Sequence, residues 1–448
     1  MKHLPIVFAL AASCVVSNFC HVAHAAPTQN LAAEVVPSLE KYQLNMIEGR
    51  QNKAESAKSY SQSKSQLAAL AFFRARDFAL TSPQRGEALV EAGETLSPMA
   101  AMTDAITAFR DALKEQISPE LKGRALMGIA DSEYHVAFMR GELAKYATIL
   151  RNNYLEATKI HKASDGEMAK IWQNLAKIAD AEKKHLEAAQ SYAKVLGNKG
   201  VEHLWPYVAR YAIEQLQKTT ELSPNDRKAA AELTDKVFLV YFSLLKSESD
   251  KPSWRVAQAD LLSRFGESAR AETMLNAVAD DAKAPEKMRV ETIVKIAQRQ
   301  AAQKKYDAAL LTLDRLSPLF LYGIKRNLER GKVFLAQEKY ELAKTEFFRV
   351  AILGTSEEKV DGYWGLADVA EKHAAALRLK KTPATEIAAQ VEEQKKALTK
   401  ASTQIGVSAV TRRMSYEKLA QFETAQGNVA EAKKWQEAAA AAKASQGK

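Results

Sequence analysis

Apolar residues recur along this chain at intervals of three and four rather than two. Leu126, Ile129 and Ala130 open one such run, and Leu175, Ile178 and Ala179 form another. That spacing lays one apolar stripe along a helix, so the pattern predicts amphipathic α-helix nearly throughout. Alternating β-branched runs are scarce. The helical runs are broken by Thr81-Ser82-Pro83, Leu96-Ser97-Pro98, Ile117-Ser118-Pro119, Leu222-Ser223-Pro224, Lys283-Ala284-Pro285, Leu316-Ser317-Pro318 and Lys381-Thr382-Pro383. A Ser or Thr hydroxyl accepts from the free amides of a first helical turn, and Pro there has no N–H to leave unpaired. Short helices with brief turns predict helical hairpins.

The hairpins repeat. "KYDAALLTLDRL" begins at Lys305 and "KYELAKTEFFRV" at Lys339, which sets Tyr306 and Tyr340 34 residues apart and matches Ala309 to Ala343. Residues 326–351 carry small Gly331 and aromatic Phe334 in a first helix, then Tyr340, Ala343 and Phe347 in and after the turn. This segment resembles the tetratricopeptide repeat, a helix-turn-helix unit of 34 residues. Residues 171–196 repeat the pattern with Trp172, Leu175, Ala176, Ala188 and Tyr192, and 416–440 with Leu419, Ala420, Gly427, Ala432 and Ala439. "AITAFRDAL" (105–113) reads as a second helix and "ALMGIADSEY" (125–134) as the opening of the next hairpin, echoed by "GYWGLADVAE" (362–371). The resemblance weakens over 68–165 and fails at 208–250, which is helical but off-period. It implies an all-α, right-handed solenoid of stacked hairpins, in which each hairpin covers the apolar face its neighbour cannot bury alone.

The organisation expected from the sequence is a leader over 1–25, a polar helical segment or linker over 26–66, and repeats over 67–250 and 251–440. A disordered tail is expected over 441–448. The leader has Lys2, an apolar run from Leu4 to Val16, and Ala23-His24-Ala25, the order of a secretory signal peptide cleaved after Ala25. Cys14 and Cys20 both fall inside it, so disulfides, thiolate catalysis and Cys-ligated metals are excluded from the mature chain. The stretch Leu10–Cys14 loosely resembles a lipobox, which makes anchoring through Cys14 the alternative to release into the periplasm. Elsewhere no run reaches the 18 apolar residues of a membrane span.

The chain has 64 Lys and Arg against 54 Asp and Glu, a net charge of +10. In an exported protein this excess favours anionic glycan, lipid headgroups or acidic protein faces over nucleic acid. His135, His161, His185, His203 and His373 are scattered and make no HExxH or HxxxH pair, so no metal or cofactor is expected. Phosphate-loop and nucleophile-elbow motifs are absent. One enzyme alternative has a foothold. Some exported peptidoglycan-cleaving transglycosylases join a helical solenoid to a lysozyme-like domain with a catalytic Glu, and Glu267-Ser268 is superficially similar.

By analogy with the repeats it resembles, the polar positions of first helices would line a groove. In the two best copies these are Lys170, Gln173 and Lys177, then Lys325, Leu328 and Lys332. Such lysines would grip carboxylates or phosphates as point charges. The resulting expectation is a non-catalytic scaffold of the bacterial envelope, holding an envelope protein within a secretion, pilus, outer-membrane assembly or polysaccharide-export machine. The alternative is a binder of an anionic envelope polymer, peptidoglycan or exopolysaccharide.

Overall fold

The structure is a computed structural model that describes residues 36–59, 61–99, 101–316 and 322–444. The leader, Cys14 and the last four residues lie outside them, and the break at Leu316 runs out of them. The described residues form α-helices joined by turns and short 3₁₀ segments, with no strand. They group into two compact units, residues 36–184 and 185–444.

Unit 1 contains α1 (Leu39–Ser59), α2 (Gln62–Phe78), α3 (Ser82–Leu96), α4 (Met102–Ala112), α5 (Pro119–Met139), α6 (Leu143–Ile160) and α7 (Asp165–Ala181). Unit 2 begins with α8 (His185–Val195), α9 (Trp205–Lys218) and α10 (Pro224–Leu244). It continues as the hairpins α11 (Lys251–Arg264) with α12 (Ser268–Asp280), and α13 (Glu286–Ala302) with α14 (Tyr306–Asp314). Then come α15 (Gly323–Ala336) with α16 (Tyr340–Leu353), α17 (Ser356–Leu379) with α18 (Ala384–Thr403), and α19 (Ala409–Ala425) with α20 (Val429–Ala444). Within unit 2 the first helices α11, α13, α15, α17 and α19 meet in succession, and in unit 1 α3 meets α5.

The capping chemistry follows the Ser/Thr-Pro breaks. Thr81, Ser118 and Ser223 each accept from an amide in the first turn of α3, α5 and α10. Leu96-Ser97-Pro98 behaves differently: it ends α3 in a 3₁₀ turn. Seven helix ends share a second device. Each has one residue with positive φ, namely Gly141, Lys183, Gly266, Lys304, Glu338, Lys381 and Gly427. After each of them an amide N–H reaches back to a carbonyl five residues earlier, as from Glu142 to Ala137 and from Lys339 to Phe334, at 2.8 and 3.0 Å. This is the Schellman closure of a helix end, repeated along the chain.

The core depends on aromatics from second helices seated on glycines of first helices. Phe109 of α4 is fully buried between Gly93 of α3 and Gly128 of α5, where a Cβ would meet its ring at 2.7 and 2.2 Å. Phe347 of α16 sits the same way between Gly331 of α15 and Gly365 of α17, at 2.8 and 2.3 Å. Only a residue without Cβ lets the ring approach so closely. Ala343, Ala309, Ala176 and Ala188 are fully buried, and Tyr192, Phe334, Leu419, Ala420 and Ala432 nearly so. Trp172 and Tyr340 are partly buried against clusters of their own units, and Tyr306 is partly buried. Gly427 is a turn residue.

Three boundaries differ from the sequence expectation. The units divide at 184/185 rather than 250/251, because the off-period helices α9 and α10 still bury Val208, Ala212, Leu216 and Phe238 within unit 2. The polar stretch 51–66 is the tip of the α1–α2 hairpin, where Ser56 Oγ donates to the Ser61 carbonyl at 3.0 Å. Helix α20 runs on to Ala444 through the Ala438–Ala442 run, the residue type with the best helix propensity.

Candidate interaction face

In unit 1 charged residues of α3 and α5 reach one another and α1. Lys53 of α1 reaches Glu91 and Glu94 of α3 at 2.7 and 2.8 Å, and Arg124 of α5 reaches the same two at 3.0 and 2.8 Å. Burial pushes both glutamates up, but the bonds from Lys53 and Arg124 outweigh it and hold them below the usual range. Next along α5, Asp131 accepts from Tyr154 Oη at 2.8 Å and Lys170 Nζ at 2.7 Å. Arg50 of α1 pairs with Glu87 at 2.6 Å. Each of these carboxylates has a cation. A cleft of about 700 Å³ lies beside this ladder, lined by Lys53, Ser56, Glu94, Thr95 and Met99.

The corresponding face in unit 2 is arranged otherwise. Asp260 of α11 takes Lys295 and Arg299 of α13, both at 2.7 Å. Glu329 of α15 accepts from Gln298 Nε2 at 2.9 Å and Lys332 Nζ at 2.7 Å. On α17 the pattern changes. Asp361 and Asp368, two turns apart on α17, accept no hydrogen bond and form no ion pair. Burial lifts Asp361 above the usual aspartate range; Lys332 offsets part of this, and Glu357, Glu358 and Glu329 add to it. Asp368 is exposed, yet desolvation by the surrounding helices raises it too; Lys418 and Lys372 offset part, and Glu371 adds. Between them Trp364 has its indole N–H buried with no acceptor, and Lys418 Nζ of α19 lies 5.5 Å from the indole ring.

The six groove residues expected from the sequence do not form a row of free cations. Lys170 is engaged by Asp131 and Lys332 by Glu329. Lys177 lies over the Phe138 ring at 5.7 Å. Gln173 and Lys325 are half-buried, and Leu328 packs against the core around Phe347. Helical periodicity identifies the side of the helix, but not that Lys170 is paired by Asp131 of α5 and Lys332 by Glu329 of its own helix. Asp361, Trp364 and Asp368 were missed, since 362–371 was read only as the opening of a hairpin. Aligning Gly365 with Gly128 would have exposed them, because Arg124 then falls on Asp361.

Glu267 lies at the exposed start of α12, 3.7 Å from Arg270, not in the apolar pocket a general acid needs. Among the described residues no group of three or more His, Cys, Asp or Glu is placed to hold a metal ion. Nor is any described helix long and apolar enough to cross a membrane.

No family model matches the chain, and no curated protein matches it significantly. Among solved structures it is similar to a tetratricopeptide repeat protein from Parabacteroides merdae, at 18% identity over 59% of this chain and 91% of that one, with a TM-score of 0.26. It is also similar to the TPR domain of P58(IPK), at 12% identity over 68% of this chain and 91% of that one, with a TM-score of 0.20. These values are too low to transfer a binding mode.

Proposed function

We propose that the chain is a non-catalytic scaffold of the bacterial envelope, exported by its leader into the periplasm, which holds protein partners on the first-helix faces of its hairpins. The observation that carries this reading is the division of labour within each hairpin. Small residues and second-helix aromatics make much of the core, while first helices such as α3, α5, α15 and α17 carry rows of charged side chains, from buried Glu91 and Glu329 to exposed Asp368. Charges that differ between hairpins built on a shared core are what a binding face of a repeat protein requires. Binding of an anionic polymer is the second reading. It draws on the net charge of +10, but Lys170 and Lys332 are already neutralised within the molecule.

The test is a cross-linked capture by the tagged mature chain from its own cells, washed at low and high salt and analysed for protein and sugar. A defined protein retained at high salt is the expected result. Glycan lost as salt rises, with no constant protein, would move the function to polymer binding. N-terminal sequencing of the secreted form checks cleavage after Ala25.

A further inference from the structure

We propose that the cleft between α4, α5 and α6 is a docking slot for an acidic segment of a partner protein, which inserts one bulky apolar side chain and sets carboxylates on either side of it. The slot lies between second helices, so it adds a face to the scaffold reading rather than restating it.

Elsewhere in the chain ion pairs bridge successive second helices. Asp235 of α10 holds Arg270 of α12, Asp280 of α12 holds Arg315 at the end of α14, and Lys344 of α16 holds Glu393 of α18, at 2.5, 2.6 and 2.7 Å. Matching Phe109 to Phe347 puts Ile106 of α4 where Lys344 stands. Across the gap α6 offers Ile149, which is 56% exposed. Among the described residues no ion pair joins α4 to α6; Arg110 of α4 turns to Glu133 of α5 instead. What remains between the helices is an open cleft of about 300 Å³ lined by Val136, Ala137 and Leu150 as well as the two isoleucines. Such a slot buries a large side chain well, and its rim then shields the contact from water.

Charge selects the occupant. Arg110 and Arg140 line the same cleft, and its one lining carboxylate is Glu133. Both oxygens of Glu133 are engaged within the molecule, by Arg110 Nη2 at 2.8 Å and Asn153 Nδ2 at 2.6 Å. Arg140 is exposed and forms no ion pair. Arg110 keeps a side chain 61% exposed beyond its bond to Glu133. Guanidinium donors therefore flank an apolar floor, and the slot has no free carboxylate of its own to meet them. Their planar fork matches a carboxylate in two bonds at once. A basic segment would meet like charge at the same place. Glu133, which fixes Arg110, and Arg140 are seven residues apart on α5, about 10 Å along the helix. Carboxylates on both sides of one apolar anchor fit that span.

The probe is fluorescein-labelled Asp-Glu-Phe-Asp-Glu, titrated into the intact mature chain at low salt beside Lys-Lys-Phe-Lys-Lys and Asp-Glu-Ala-Asp-Glu. Wild type is expected to bind the first peptide about tenfold or more tightly than either of the others. Arg140→Glu, a change at an exposed position, should weaken that binding about tenfold or more. Ile106→Lys with Ile149→Glu, which imports the α16–α18 arrangement, should abolish it while circular dichroism shows a folded chain. No binding of the acidic peptide by wild type, equal binding of the lysine or alanine peptide, or equal affinity of wild type and Arg140→Glu overturns the slot. Sedimentation showing wild type self-associated and Ile149→Glu monomeric would give the slot to a second copy and overturn it as well. The capture experiment decides the scaffold reading separately: a chain that captures no partner sinks that reading, while the titration still decides the slot.

Discussion

The α3–α4–α5 and α15–α16–α17 segments bury the same device and present opposite surfaces. Phe109 and Phe347 each fill the space between two glycines, one on the first helix of their own hairpin and one on the next. Around them the charges exchange places. Glu91 and Glu94 of α3 correspond to Glu329 and Lys332 of α15, and Arg124 of α5 corresponds to Asp361 of α17. In unit 1 the exchange leaves a closed ladder; in unit 2 it leaves two unpaired aspartates. A shared core with divergent surface charge separates what the fold needs from what the face is for.

Breaking the shared part should have the largest effect. Phe109→Ala and Phe347→Ala each remove a fully buried or nearly buried ring from between glycines that cannot fill the void. Each is expected to cost about 3–5 kcal/mol. The loss should be confined to its own unit when followed by hydrogen exchange, because the repeat interfaces are local. Equal loss of protection in both units would show that the two cores are not independent. Ala343→Trp, which forces α15 and α16 apart, should disrupt the region around 324–357 by overpacking.

Next come the charges. Arg124→Met removes a cation shared by Glu91 and Glu94, and with Lys53 still in place the expected cost is about 1–3 kcal/mol. The aspartates should respond to pH in the opposite sense to the glutamates. Glu91 and Glu94 are held below their unfolded values, so the stability they supply is present above the ordinary glutamate range and is lost as pH falls through their lowered values. Asp361 and Asp368 are raised, so the folded state binds their protons more tightly, and stability falls as pH rises through the window from the unfolded to the folded value. Melting curves should therefore show Glu91→Gln with Glu94→Gln destabilised at neutral pH. Asp361→Asn with Asp368→Asn should be stabilised there, and both differences should shrink toward acid. A neutral-pH penalty for the Asn pair would mean that the aspartates have partners.

Much of this molecule was legible in its sequence, for reasons specific to each feature. The 34-residue offset of Tyr306 and Tyr340 and the small residues around it reflect packing that each hairpin must repeat, so they survive as pattern. The echo between 125–134 and 362–371 contained Gly128 and Gly365, the seats of the two aromatic rings, although their role required the rings to be placed. The surface was far less legible. Lys170 and Lys332 were on a helix face that periodicity could identify, but their neutralisation depends on rotamers and, for Lys170, on Asp131 of another helix 39 residues away. The same limit hid Asp361 and Asp368, whose neighbours Lys332 and Lys418 come from α15 and α19.

The smallest effect tests whether the hairpin turns are interchangeable between the units. Gly141 and Glu338 hold the same left-handed place in the Schellman turns after α5 and α15, at φ of 69° and 59°. A side chain there meets the following carbonyl, a strain of about 1–2 kcal/mol that glycine avoids. Glycine in turn gives up about 0.5–1 kcal/mol through the freedom of its unfolded chain. The balance predicts that Glu338→Gly stabilises unit 2 by up to about 1 kcal/mol and that Gly141→Glu costs unit 1 a similar amount, both read by hydrogen exchange at the Lys339 and Glu142 amides. If both changes destabilise, the Glu338 side chain contributes something to its turn that the backbone geometry does not reveal, and the two turns are equivalent only in shape.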